Sequence, residues 1–133
     1  MNRTVLAAAI ALAAFASTAR AEDPVTAKPV RSEMLPNVPG KSITAVQVTY
    51  APGAKSTSHH HAGSVFVYVL TGQVRSEVSG MGPAKVYKAG ETFFEPPGSA
   101  HLVSENASAT EPASILAVFV ADDGAKLTTY DTK

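Results

Sequence analysis

Four histidines occur in the chain, and all of them lie in two short stretches. Three are consecutive, His59, His60 and His61, in the run Gly53-Ala-Lys-Ser-Thr-Ser-His-His-His-Ala-Gly, just ahead of an apolar segment from Val65 to Leu70. The fourth, His101, closes the turn-rich stretch Gly90-Glu-Thr-Phe-Phe-Glu-Pro-Pro-Gly-Ser-Ala-His. In an extended segment residues i and i+2 share a face, so His59 and His61 can address one ion while His60 points away. Neighbouring antiparallel strands would add His101 as a third imidazole. Neutral imidazole suits zinc, copper, iron or nickel, with a metal–nitrogen distance of about 2.0 to 2.1 Å for zinc. The competing reading is a solvated histidine run and an unrelated turn histidine.

The pattern Gly53-x5-His59-x-His61-x3-Val65-x6-Gly72, followed by Gly90-x5-Pro96-x-Gly98-x2-His101, resembles the two signature motifs of the cupin superfamily. The resemblance covers most of the chain beyond the first forty residues. It implies a single small antiparallel β-barrel of the jelly-roll-like, double-stranded β-helix kind. It also implies that His59, His61 and His101 bind a divalent transition metal (Fe, Zn, Mn, Ni or Cu), and that the protein is a homodimer.

The chain departs from that pattern where a metal-binding glutamate is expected. Val65 occupies the position, between Ser64 and Phe66, and none of the three offers a carboxylate. The asparagine that often ends the second motif is replaced by Glu105, with Asn106 one place later. Either the centre is a three-histidine site that keeps the full charge of its ion, or it has lost metal and binds something else. Glu95 is the candidate to replace the missing carboxylate: it precedes Pro96 and follows Phe93 and Phe94, so a charge there stands in apolar surroundings. Pointing inward, it would be a fourth ligand or a catalytic acid or base beside the ion; pointing outward, it would cap a turn. Alternation groups it with Phe93 against Thr92 and Phe94 without saying which face is inside.

Val65, Tyr68 and Phe93 are the expected pocket-lining residues, with Ser64, Tyr87 and Ser104 as further wall candidates. No Gly-x-Ser-x-Gly elbow, phosphate loop or dinucleotide fingerprint occurs. No basic patch with interleaved aromatics suggests nucleic acid.

The elements that must position these residues are short strands cut by glycine and proline. Ile43 to Tyr50 alternates, with Val46, Val48 and Tyr50 on one face. Phe66 to Leu70 is apolar on both faces, as in a central strand buried on both sides. Further strands are expected over Gln73–Ser79, Ala84–Lys88, Thr92–Glu95, from His101 onward, and over Ser114–Val120, with a loop from Ser104 to Pro112 and an edge strand near Leu127–Tyr130.

Ahead of this domain, assigned to residues 41–133, the proline-rich segment 22–40 reads as an extended arm with a strand near Val30–Leu35. Residues 1–21 read as a signal peptide: Arg3, an apolar stretch from Val5 to Phe15, and a cleavage site at Ala19-Arg-Ala21. Cleavage removes Arg3 and Arg20, leaving 9 basic and 11 acidic residues, a net charge of −2. The expected location is periplasmic or secreted, with no membrane association after cleavage. With no cysteine, the exported domain has neither a disulfide framework nor a thiol nucleophile.

These readings converge on an exported metal-binding domain: a metal-dependent enzyme acting on a small, anionic organic molecule, or a non-catalytic module binding a small molecule or metal. The reaction stays open among dioxygenase, isomerase, lyase and hydrolase chemistry.

Overall fold

A computed structural model describes residues 23–132, and the expected signal segment, residues 1–21, lies outside them. The described residues form ten strands and no helix: β1 Val25–Met34, β2 Lys41–Tyr50, β3 His59–His61, β4 Gly63–Thr71, β5 Gln73–Val78, β6 Lys85–Lys88, β7 Thr92–Glu95, β8 Ala100–Asn106, β9 Ala113–Asp122 and β10 Thr128–Tyr130. They build two antiparallel five-stranded sheets, ordered β1-β2-β9-β4-β7 and β10-β3-β8-β5-β6. The expected all-β, jelly-roll-like architecture is present as two sheets, not as one closed ladder.

The interior follows from alternation. Strand β4 buries Val65, Val67 and Val69 at 0–1% exposure, each worth about 1.5–3 kcal/mol of apolar burial. Its other face, read as buried, is a solvent face: Phe66, Tyr68 and Leu70 are 38–47% exposed. The reason is that β4 is covered by the second sheet on one side only. Strand β9 turns Ala113, Ile115, Ala117, Phe119 and Ala121 inward. The small alanines between larger side chains keep part of the interior open.

The segment expected as an arm is an edge strand. Its pairing with β2 runs from Val25↔Tyr50 to Met34↔Ser42, longer than the Val30–Leu35 strand expected, with a register shift between Pro29 and Arg31. An edge position tolerates a proline that has no N–H to donate. The loop expected from Ser104 begins later, because β8 continues to Asn106. The Asn106 amide then closes the loop, donating to the carbonyls of Glu111 at 2.7 Å and Ala51 at 3.1 Å and accepting from the Ser108 N–H at 2.9 Å. Gly72 turns β4 into β5 with φ +70°, and a Cβ there would lie 2.5 Å from the Pro112 carbonyl oxygen.

Candidate metal centre

Strand β3 carries the histidine run, and alternation sets its faces. His59 is buried and His61 half-buried, while His60 turns outward to Asp131, with Nδ1 3.1 Å from Oδ1. In the β3–β8 ladder His59 stands opposite His101, so one cross-strand pair brings the third imidazole in. Ring centroids of His59 lie 4.8 Å from His61 and 5.0 Å from His101. One nitrogen from each of the three rings lies within 4.8 Å of the others.

Hydrogen bonds fix which nitrogens face inward. His59 Nδ1 is 2.7 Å from the Thr57 carbonyl and His61 Nδ1 is 3.0 Å from the Leu127 carbonyl. A carbonyl only accepts, so both Nδ1 atoms carry the proton and both Nε2 atoms keep a free lone pair, the arrangement that orients a metal-ligating histidine. His101 is held the other way round: Nε2 bonds Ser76 Oγ at 2.8 Å, and Nδ1 faces Glu95.

Glu95 enters the same space from β7. Its Oε1 is 3.3 Å from His101 Nδ1 and its Oε2 is 3.5 Å from His61 Nε2. Burial holds His101 down at about 3 and His61 at about 4, and lowers His59 as well, so the imidazoles are neutral at neutral pH. The same burial pushes the Glu95 carboxyl up to about 7. With the imidazoles neutral, its contacts with the rings are close approaches, not ion pairs. Oε2 is buried with no hydrogen-bond partner. The two inward Nε2 lone pairs, the nearby His101 ring and an unsatisfied carboxylate oxygen in a desolvated space are a donor set that suits a divalent transition ion.

The cluster forms one end of a cavity of about 540 Å³ between the sheets. Its walls are apolar, with Val46 and Val48 from β2, Val67 from β4, and Ile115, Ala117 and Phe119 from β9. Tyr50 and Ser104 add a hydroxyl pair at 2.7 Å, and burial keeps the Tyr50 phenol protonated. The exposed lining residues Asp23, Lys55 and Tyr130 mark the mouth.

The expected pocket residues fall elsewhere. Tyr68 is on the outer face at 41% exposure, Val65 is packed in the core, and Phe93 is buried against Tyr87 and His101, with ring centroids 4.9 and 5.8 Å away. None of the three lines the large cavity. Alternation puts Tyr68 opposite to Val67, the β4 residue that does reach it. Ser104 is in the wall, whereas Ser64 and Tyr87 are not.

Five further contributors have a weak signal in the sequence or none. Ser76 is signalled only as a polar residue between Val74 and Val78 on one face of β5. Tyr50 is signalled as the end of the Val46-Val48-Tyr50 face. The β1 residues Val25, Ala27 and Pro29, which also line the cavity, carry no local signal.

A family model described as "Cupin domain" matches residues 46–119. Germin-like protein subfamily 2 member 2 of Arabidopsis thaliana is 33% identical over 93 residues, 65% of this chain and 41% of that protein. A mutant of Bacillus subtilis oxalate decarboxylase is similar in structure at TM-score 0.55 and 29% identity, over 66% of this chain and 23% of that one. An oxalate oxidase in complex with the substrate analogue glycolate shares the fold at TM-score 0.62 and 20% identity, over 80% of this chain and 55% of that one. The chain thus spans about two fifths of the curated relative and about a quarter of the decarboxylase.

Proposed function

The chain belongs to the cupin family, and on that premise we propose that it is an exported, metal-dependent enzyme acting on a small organic acid. The observation that carries this reading is the convergence of His59, His61 and His101 with Glu95 in a cavity whose other lining is largely apolar. A divalent transition ion held there supplies Lewis acidity and open coordination positions for an acidic head group. The residues around it do the rest. The carbonyls of Thr57 and Leu127 hold the rings of His59 and His61 with Nε2 inward. Tyr50 and Ser104 offer hydroxyls to polar groups of the substrate.

The likeness to an oxalate decarboxylase points to the same substrate chemistry, a carboxylic acid. The cavity of about 540 Å³ is far larger than a two-carbon acid fills, and Val46, Val48, Val67, Ile115 and Ala117 line it. Pockets of this size and lining hold ligands with a substantial apolar body. The proposed substrate is therefore an organic acid whose carboxylate meets the metal end and whose apolar part lies along β2 and β9.

Export is part of the proposal and rests on the charge, apolar stretch and Ala-x-Ala pattern of residues 1–21. So is a homodimer, supported by the outer face of the first sheet. There Phe66 stands opposite Phe94 and Val118, and Tyr68 opposite Leu116, in one continuous apolar surface. An exposed apolar patch on a folded domain marks an interaction surface.

Metal analysis of the chain from Glu22 to Lys133, purified without a histidine tag, tests the central claim. About one ion per chain is expected, lost in the His59→Ala/His61→Ala/His101→Ala variant. No bound ion after incubation with iron, zinc, manganese, nickel and copper overturns it. Turnover of a panel of carboxylic acids then separates an enzyme from a module that only binds them.

A further inference from the structure

We propose that Glu95 is a fourth protein ligand of this centre, a carboxylate delivered from β7, directly opposite position 65 of β4 on the interior face. The inference rests on the metal-centre reading above and deepens it.

Val65 and Glu95 are direct partners in the β4–β7 ladder. Residues directly opposite each other in an antiparallel pair project to the same face, with Cβ atoms about 4.5–5.5 Å apart. Both are buried, at 0% and 3% exposure, so that face is the interior. A side chain at either position therefore starts from nearly the same place relative to β3 and β8. From β7 the glutamate reaches both flanking imidazoles, with Oε1 3.3 Å from His101 Nδ1 and Oε2 3.5 Å from His61 Nε2.

Three further observations favour ligation over a structural role. Oε2 has no hydrogen-bond partner although it is buried, and such a group ordinarily costs stability unless something satisfies it. Glu95 is the one buried acidic residue among the described residues. The three imidazoles bring no charge, so a dipositive ion in this desolvated space needs an anion, and the other acid lining the cavity, Asp23, is exposed at the mouth.

The test is titration of Co2+ into the metal-free protein by calorimetry and visible absorption, with wild type, Glu95→Gln and the exchange variant Val65→Glu/Glu95→Val. Circular dichroism melting establishes that each is folded. Glu95→Gln keeps the shape of the side chain and removes its charge. It is expected to weaken Co2+ binding by at least about 10- to 100-fold and to alter the ligand-field bands. The exchange variant is expected to recover most of the affinity, because position 65 is the direct cross-strand partner of position 95 on the same interior face. Wild-type affinity and spectrum in Glu95→Gln overturn the proposal, as does a folded exchange variant that binds no better than Glu95→Gln. Failure of the wild type to bind any ion is a different result, and it removes the metal-centre reading itself.

Discussion

Ser76 Oγ lies 2.8 Å from His101 Nε2, and this bond holds the ring with its other nitrogen, Nδ1, 3.3 Å from Glu95 Oε1. Both partners are buried at 3% exposure, so neither has water as a substitute. The residue that aims His101 comes from β5, between two buried valines.

Ser76→Ala is accordingly expected to leave His101 Nε2 unsatisfied in the interior. The cost is about 1–3 kcal/mol of stability, and loss of the orienting bond weakens metal binding by about ten-fold or more. Urea denaturation of the metal-free protein and calorimetric metal titration measure the two effects. Unchanged metal affinity in a folded variant would show that the ring is held by packing alone.

The stability of the metal-free protein depends on pH with a definite sign. His101 and His61 are depressed from 6.5 to about 3 and about 4. Their contribution is complete above pH 6.5 and is lost as the pH falls toward 4, because the unfolded chain takes up protons that the folded one refuses. Glu95, raised from 4.5 to about 7, acts oppositely: its contribution is complete below pH 4.5 and is lost as the pH rises to 7. The two imidazoles, joined by His59 with a shift in the same direction, outweigh the one carboxyl. Denaturation midpoints are therefore expected to fall between pH 6.5 and 4, more steeply in Glu95→Gln, where the opposing group is gone. A midpoint that rises on acidification contradicts this balance.

Ala117 sits in the wall of the cavity at 5% exposure. Ala117→Phe is expected to fill the apolar part of the space, at about 1–3 kcal/mol of overpacking, and to abolish binding of an aromatic acid such as benzoate while the metal content stays at the wild-type level. Equilibrium dialysis of benzoate beside metal analysis reads both quantities. Benzoate binding that survives the substitution would place the ligand outside this cavity.

The outer face of the first sheet supplies a separate test. Phe66 and Phe94, paired across β4 and β7, are 47% and 43% exposed. If a second copy covers them, Phe66→Glu is expected to convert a dimer into a monomer in light-scattering chromatography, with little change in the melting of the isolated domain. A wild-type chain that is monomeric at high micromolar concentration removes the dimer proposal.

The residue types of the centre, and the faces of the β3 histidines, are legible in the amino-acid sequence alone. That His59 and His61 point together and His60 apart follows from the two-residue period of a strand, a property of the local backbone. So does the common face of Val46, Val48 and Tyr50. The inward face of Thr92–Glu95 is not legible there, because Phe93 and Phe94 give both faces apolar content. That choice came from the pairing of β7 with β4, which is covered on one side only, and it turned Glu95 inward and Tyr68 out. Folding also sets the register that puts His59 beside His101 and Val65 beside Glu95, the assignment of Ser76 to His101, and the inclusion of β1 as a cavity wall. Each of these depends on contacts between segments distant in sequence, and strand alternation, which repeats identically along every strand, carries no information about which neighbour it will meet.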